Sequence, residues 1–500
     1  MTVSSITGAG AASADLTWGA IDWRSIDKHV RRLQVRIAKA TAENRWGKVK
    51  VLQRLLSHSF SAKLLAVKRV TGNRGGKTPG VDGLLWHTSQ QKMEAALSLK
   101  RRGYRPQPLR RIYIPKKNRQ LRPLGIPTMV DRAHQALHWL ALEPISETRA
   151  DRNAYGFRPK RGAADAIAQC FNVLCRKTSA QWILEGDIKS CFDKIDHDWL
   201  LANIPMDKEV LQNWLKAGYM ENNLFYPTED GTPQGGIVSP TLMLMTLRGL
   251  EDVATQATIP QDKVHVVAYA DDFVITGASE NVLRDKVLPA VEAFLRTRGL
   301  ELSKEKTLIT HIERGFDFLG FNVRKYSGKL LIKPAKKNVL AFLANLRGTI
   351  RSKKSISSGE LIRLLNPKIQ GWANYYRHVV SKQTFSYVDH CVFQAIWKWS
   401  LRRHPNKRVD WVKRRYFHSE GVRNWVFGGQ TNNRSGAITI RKLARASDTA
   451  ICRHIKVRSE ANPYSSLDEE YFAMRANRRD HSYLTQFAHS ALPVFSRHSV

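Results

Sequence analysis

Acidic residues are scarce in this chain. Its 500 residues carry 43 Asp+Glu against 81 Lys+Arg, a formal charge of +38. That balance is silent about fold, but it makes a polyanion the expected partner, nucleic acid ahead of an acidic membrane surface. Long apolar runs are lacking too: nowhere do the ~18 consecutive apolar residues of a membrane span occur, so no membrane contact is expected. Cysteine is sparse. Cys170, Cys175, Cys191, Cys391 and Cys452 form neither a CxxC pair nor a disulfide framework, so buried thiols in a reducing compartment are expected. The opening MTVSSITGAGAASADL has no basic region followed by an apolar core, and reads as a disordered tail over residues 1–23 rather than a secretory signal.

The charge that is present is unevenly placed. Residues 321–460 hold about 30 Lys+Arg against about 6 Asp+Glu, so about 24 of the 38 net charges lie there. Aromatics are interleaved with these cations in GWANYYRH (371–378) and WVKRRYFH (411–418). Rings for stacking and cations for phosphates suit RNA or single strands. The competing reading places Trp372 and Tyr376, at helical spacing, in a core.

Apolar periodicity predicts helices over 24–70, from Asp131 to Glu143, over 282–299, 333–350, 359–379 and 383–401. GNRGGKTPGVDG (72–83) is a loop, and RRIYIPKKNRQLRPLGIP (110–127) alternates around a basic turn as a β-hairpin. SAQWILEGDIKSCFDKI (179–195) is a strand running into a helix, and GTPQGGIVSPTLMLMTLRGLEDVA (231–254) a Gly/Pro loop running into one. VHVVAYADDFVIT (264–276) reads as strand, tight turn, strand, with no internal repeat elsewhere. The order is helical lead-in, α+β centre, basic helical section and mixed tail.

Two adjacent carboxylates, Asp271 and Asp272, sit at that turn. Held together they repel unless protonated or bound to cations, and such oxygen ligands suit Mg²⁺. Asp is also a common turn residue, which is the plainer explanation of the dipeptide. Asp187, at the end of another apolar strand, adds a third carboxylate if the strands share a sheet. Three such groups can hold two metal ions for in-line phosphoryl displacement. Asp193 and Asp196 fit helix or turn roles better.

YADD with DIKSCF, GTPQGGIVSP, LGIP and GFDFLGF stand in the order found in reverse transcriptases, and the chain resembles the group II intron-encoded reverse transcriptase/maturases. KTPGVDG, NAYGFRPKRGAADAI, ELSKEKT, GWANYYR and RHIKVRSEANPYSSLDEEYF extend the likeness over about residues 24–475. The resemblance implies an α+β right-hand polymerase, with fingers and an antiparallel-sheet palm followed by an α-helical thumb/maturase domain and a small basic DNA-binding region. The expected divisions are 24–95 for a helical N-terminal extension, 96–178 fingers, 179–330 palm, 331–417 thumb, 418–478 DNA-binding region and 479–500 tail. It implies that Asp187, Asp271 and Asp272 are catalytic metal ligands for two Mg²⁺ ions, with Mn²⁺ a possible substitute. Phe192 matches the aromatic that excludes a 2′-OH, Gln234 the nucleotide-pocket residue, and Lys116 and Arg122 the triphosphate clamp. Lys306, Arg377, Lys413, Arg414 and Arg415 are expected to contact RNA or DNA.

Implied partners are group II intron RNA, a DNA target or primer, and dNTPs, in a bacterial cytoplasm and associated with nucleic acid. Many relatives continue into a zinc-supported HNH endonuclease, whose CxxC pairs this sequence lacks, so neither zinc nor that nuclease is expected. Two alternatives stay open: a splicing-only RNA-binding maturase, and a reverse transcriptase domesticated for defence or DNA repair.

Overall fold

The computed structural model describes residues 17–115, 121–222, 224–232, 235–432 and 438–477. The helical lead-in divides into three helices, α1 (Trp23–Ala42), α2 (Trp46–His58) and α3 (Phe60–Thr71). Asp22 caps α1 by accepting from the backbone N–H groups of Arg24 and Ser25, satisfying donors that have no partner within the helix. Val30, Ile37, Leu52, Leu56 and Val67 line the seam where these helices meet α5 (Met129–Arg149). Between them lie α4 (Ser89–Ser98), started by a Thr88/Gln91 capping box, and the hairpin of β1 (Leu109–Pro115) and β2 (Leu121–Ile126). The basic hairpin turn, Lys116 included, lies outside the described residues.

α5 runs longer than the sequence pattern indicates and is buried along most of its faces. Next come α6 (Ala163–Leu174), β3 (Trp182–Asp187) and the short helices α7 (Cys191–Lys194), α8 (His197–Asn203) and α9 (Lys208–Leu215). Asp196 caps α8 by accepting from Trp199 N, the helix-terminus role its position suggests. β4 (Tyr219–Glu221) and β5 (Leu224–Tyr226) extend the β2-β1 hairpin into a four-stranded sheet, and α10 (Ser239–Thr246) and α11 (Leu250–Gln256) follow.

The central sheet has the order β6-β7-β3-β8, from β6 (His265–Tyr269), β7 (Asp272–Gly277), β3 and β8 (Leu308–His311). A π-helical turn (Val282–Val287) leads into α12 (Leu288–Arg296) beneath it. Alternation along the strands sends Leu184, Val266 and Ile275 into the core shared with these helices, and Ile183, Val267 and Val274 into the core on the other face. Both faces are covered, which holds the strand ends rigid.

A second small sheet, β9 (Phe316–Phe318), β10 (Phe321–Tyr326) and β11 (Lys329–Pro334), precedes the helices α13 (Lys336–Ser352), α14 (Ser358–Tyr376), α15 (Lys382–Arg403) and α16 (Val409–Tyr416). Here the core reading of the aromatics prevails: Tyr376 is buried, and Trp372 stacks on Phe342 with ring centroids 4.7 Å apart and planes at 3°. Three strands follow, β12 (Phe417–Glu420), β13 (Arg423–Asn432) and β14 (Ile438–Lys442), of which β13 and β14 pack on α14. Beyond them residues 452–475 form a strap that returns to the N-terminal half. Its carbonyls at Ser459 and Ala461 accept from Arg161, Asn462 Nδ2 donates to Thr148 Oγ1 at 2.9 Å, and Tyr464 bonds to Glu143.

Candidate active site

The ladder between β3 and β7 sets Asp187 directly opposite Asp272. Cross-strand neighbours in an antiparallel pair project to the same face. β6 and β7 are joined by two residues, Ala270 and Asp271, with Tyr269 paired to Asp272 and Ala270 at φ 59°. That tight reversal raises Asp271 beside Asp272 at the sheet end. Gly186, next to Asp187, is required because Phe273 lies across from it: a Cβ there would come within 2.2 Å of the Phe273 ring.

Solvent loss around its carboxylate, then the charges of Asp271 and Asp187, push Asp272 up to about 6, although the residue as a whole is surface-exposed. Lys306 and Lys337 pull the other way. Lys306, expected on a nucleic-acid face, is placed within this cluster, its Nζ donating to Asp187 Oδ2 at 2.9 Å. The loop carrying it is fixed by Ser303 N donating to the Asp187 carbonyl at 2.8 Å and Lys189 N donating to Glu301 O at 2.9 Å. The Lys306 ammonium is ion-paired with Asp187 and is held protonated by that bond and then by the nearby carboxylates.

Among the described residues, no three His, Cys, Asp or Glu side chains already form a closed metal cage. The donor chemistry still fits a hard divalent cation: three carboxylates from two paired strands and their turn, repelling one another and offering only oxygen. The raised Asp272 gives a test of that repulsion. Above about pH 6 the folded chain carries this charge at a cost, whereas below about pH 4 folded and unfolded chains are both protonated and the cost vanishes. Asp272→Asn is therefore expected to raise the melting temperature without Mg²⁺ at pH 8, with the gain fading as pH falls towards 4. Thermal scans across that range check it; a gain independent of pH would dissociate it from the carboxylate charge.

Phe192 stands on α7, half-buried, with its carbonyl accepting from Thr232 N at 2.6 Å. Gly231 (φ 83°) fits against the Phe192 and Asp193 backbone, and Gly235 (φ 120°) approaches Gly125 of β2, where a Cβ would lie 2.6 Å from the Gly125 carbonyl oxygen. Gly231 thus meets α7 and Gly235 meets β2; Pro233 and Gln234 between them lie outside the described residues. Arg122 is exposed on β2, opposite Ile114.

A further contributor carries no role in the sequence reading beyond the family likeness. NAYGF (153–157) lies alongside β6, with Tyr155 N donating to Ala268 O at 2.9 Å and Ala268 N to Asn153 O at 3.0 Å. Gly156 abuts the aspartate turn so closely that a Cβ would sit 2.1 Å from Ala270 N. Phe157, 47% exposed, meets Phe192 edge to face at 6.4 Å. The glycine flanked by aromatics was the available signal. Farther off, Lys413 covers the Trp425 ring at 4.6 Å while Arg414 and Arg415 are exposed at the end of α16. Arg377 is only 8% exposed, so it lines an internal wall instead of an open face.

Three stretches of the chain match known protein families. Residues 114–323 match the family "Reverse transcriptase (RNA-dependent DNA polymerase)", residues 18–99 the "N-terminal domain of reverse transcriptase", and residues 339–417 the "Group II intron, maturase-specific domain". The group II intron-encoded protein LtrA of Lactococcus lactis subsp. cremoris is 29% identical over 409 residues, covering 62% of this chain and 68% of that one. Protein YkfC of Escherichia coli is 33% identical over 324 residues, covering 55% of this chain and 84% of that one. A telomerase structure from Candida albicans aligns with 62% of this chain and 64% of that chain at 11% identity and TM-score 0.36, too loose a likeness to carry an argument.

Proposed function

The chain belongs to the group II intron-encoded reverse transcriptases, RNA-directed DNA polymerases with a maturase-specific domain, and from that premise we propose that Asp187, Asp271 and Asp272 form its polymerase centre. As a member of that family it acts on nucleic acid, in intron splicing and mobility as well as in DNA synthesis. The observation that carries the site assignment is the register that sets Asp187 opposite Asp272 with Asp271 in the intervening turn.

In this reading the three aspartates would hold two Mg²⁺ ions, which supply a lowered pKa at the primer hydroxyl and charge neutralisation at the leaving pyrophosphate. The chain's own residues do the rest. The covered sheet fixes the carboxylates, so little reorganisation is needed when substrate arrives. Lys306, now bonded to Asp187, is positioned to exchange that partner for a phosphate oxygen of the substrate. Arg122, with Lys116 and Gln234, receives the incoming dNTP from the side of β2 and the GTPQGG loop. Phe192, buttressed by Phe157, closes the wall where a 2′-OH would project. The basic helices and Lys413, Arg414 and Arg415 hold intron RNA or the template duplex through phosphate contacts. We assign residues 24–95 to an N-terminal extension, 96–178 to fingers, 179–330 to palm, 331–417 to thumb and 418–478 to a basic DNA-binding region.

Primer extension on an RNA template with Mg²⁺ and dNTPs tests the reading; absence of cDNA from the folded wild type would leave only the splicing-factor alternative. Phe192→Val is expected to raise ribonucleotide incorporation relative to deoxyribonucleotide by about tenfold or more, since relief of one steric clash is worth about 1–3 kcal/mol. Single-nucleotide insertion with dCTP and CTP reads this ratio; an unchanged ratio removes Phe192 from the sugar wall.

A further inference from the structure

A basic chamber lies where the end of α14, the start of α6 and the strap meet. It encloses about 550 Å³ and is lined by Arg377, Arg453, Arg458 and Arg475, with no carboxylate among the described residues of its walls. Arg475 is no loose surface charge: its side chain is 10% exposed and its Nη2 donates to Asp165 Oδ1 at 2.7 Å. Asp165, itself fully buried, is already saturated. It also accepts from His454 Nε2 at 2.8 Å, Val457 N at 2.8 Å and Gly162 N at 3.0 Å. Its charge is spent behind the wall, and Arg475 Nε remains buried with no hydrogen-bond partner. The guanidinium groups of Arg453 and Arg458 and the unpartnered Nε of Arg475 line one partly enclosed space, a setting that favours an anion.

The chamber also offers rings. Tyr375 is 42% exposed in its lining, and Tyr471 stands beside Arg458, whose guanidinium lies 4.6 Å from the ring centroid. Cations for a phosphate next to aromatic faces for a base are the recognition chemistry of an unstacked nucleotide, and the volume suits a single one. We propose that this chamber captures one unpaired nucleotide of a bound RNA strand, its phosphate on the arginines and its base against Tyr375 or Tyr471. The assignment rests on the reading of the chain as RNA-binding. It makes the strap and the maturase-specific helices joint owners of one RNA contact, built from residues other than the three aspartates.

The test uses the full chain and a labelled, unstructured oligoribonucleotide. Arg453→Ala/Arg458→Ala removes two exposed cations at the mouth and leaves the Asp165 cluster intact. Affinity is expected to fall about tenfold, with the slope of log K against log salt shallower by about 1, while extension of a pre-annealed primer is unchanged. In the wild type, 4-thiouridine in the oligonucleotide is expected to cross-link to Tyr375 or Tyr471. Unchanged affinity and slope, or cross-links confined to other segments, would overturn the proposal. Inorganic phosphate separates the sources: if millimolar phosphate alone protects the chamber and abolishes the difference between variant and wild type, it is a free-anion site and the RNA assignment falls. Failure of the wild type to extend a primer would sink the polymerase reading instead, and leaves the binding comparison intact.

Discussion

Asp271→Asn is expected to lower primer extension by about 10³-fold or more while leaving RNA affinity within about twofold of wild type. Asn keeps the size of Asp, and the two-residue turn between Tyr269 and Asp272 depends on backbone pairing, not on the carboxylate. What is lost is one negative charge from a group of three that already repel, as the raised Asp272 records. Divalent-cation affinity falls with that charge, and the several kcal/mol of charge stabilisation a bound cation gives corresponds to about three orders of magnitude in rate. Relief of repulsion means that the variant melts no lower than wild type, so loss of activity is separated from loss of fold. Single-turnover extension with filter binding and a thermal scan reads all three quantities. Extension within about tenfold of wild type would remove Asp271 from the centre.

Glu147→Gln is expected to cost about 3–5 kcal/mol of stability, the range for stripping one partner from a buried ion pair. Glu147 is 1% exposed and is gripped by Arg158, whose Nε donates to Oε2 at 2.7 Å and Nη2 to Oε1 at 2.8 Å. Arg161, also 1% exposed, donates to Oε1 at 3.3 Å. Removing the carboxylate's charge leaves two buried arginines facing backbone carbonyls with no compensating charge from Glu147. Arg161 also holds the strap carbonyls of Ser459 and Ala461, so proteolysis within residues 452–475 should speed up in parallel. Urea denaturation and limited proteolysis check this, and a second variant guards the interpretation. Glu147→Leu/Arg158→Met, which removes charge from both sides, is expected to recover part of the loss. A cost under about 1 kcal/mol would show that water reaches the arginines.

The elements were largely legible because they are local. Helical periodicity and capping residues are read within one or two turns, and the alternation of VHVVAYADDFVIT within one hairpin. The antiparallel palm sheet, the fingers hairpin and the aspartate turn follow from such patterns together with the family resemblance. One-dimensional pattern divided the lead-in poorly, since 24–70 forms three helices, and it ended α5 too soon because burial on nearly every face erases the stripe that marks a helix boundary.

Tertiary structure decided what depends on distant partners. Composition offered Trp372 both to RNA and to the core; Phe342, stacked against it from α13, settled the matter. Arg377 reads as a surface cation until the strap covers it. The sequence offers Lys306 as a nucleic-acid contact, and only the folded β3 end brings Asp187 to its ammonium. Sequence alone determined which groups this protein owns: an excess of cations, three aspartates at strand ends, and aromatics among the arginines. Only the folded chain decided which of them face one another, because an ion pair or a ladder register between residues far apart in sequence leaves no periodic trace in either segment.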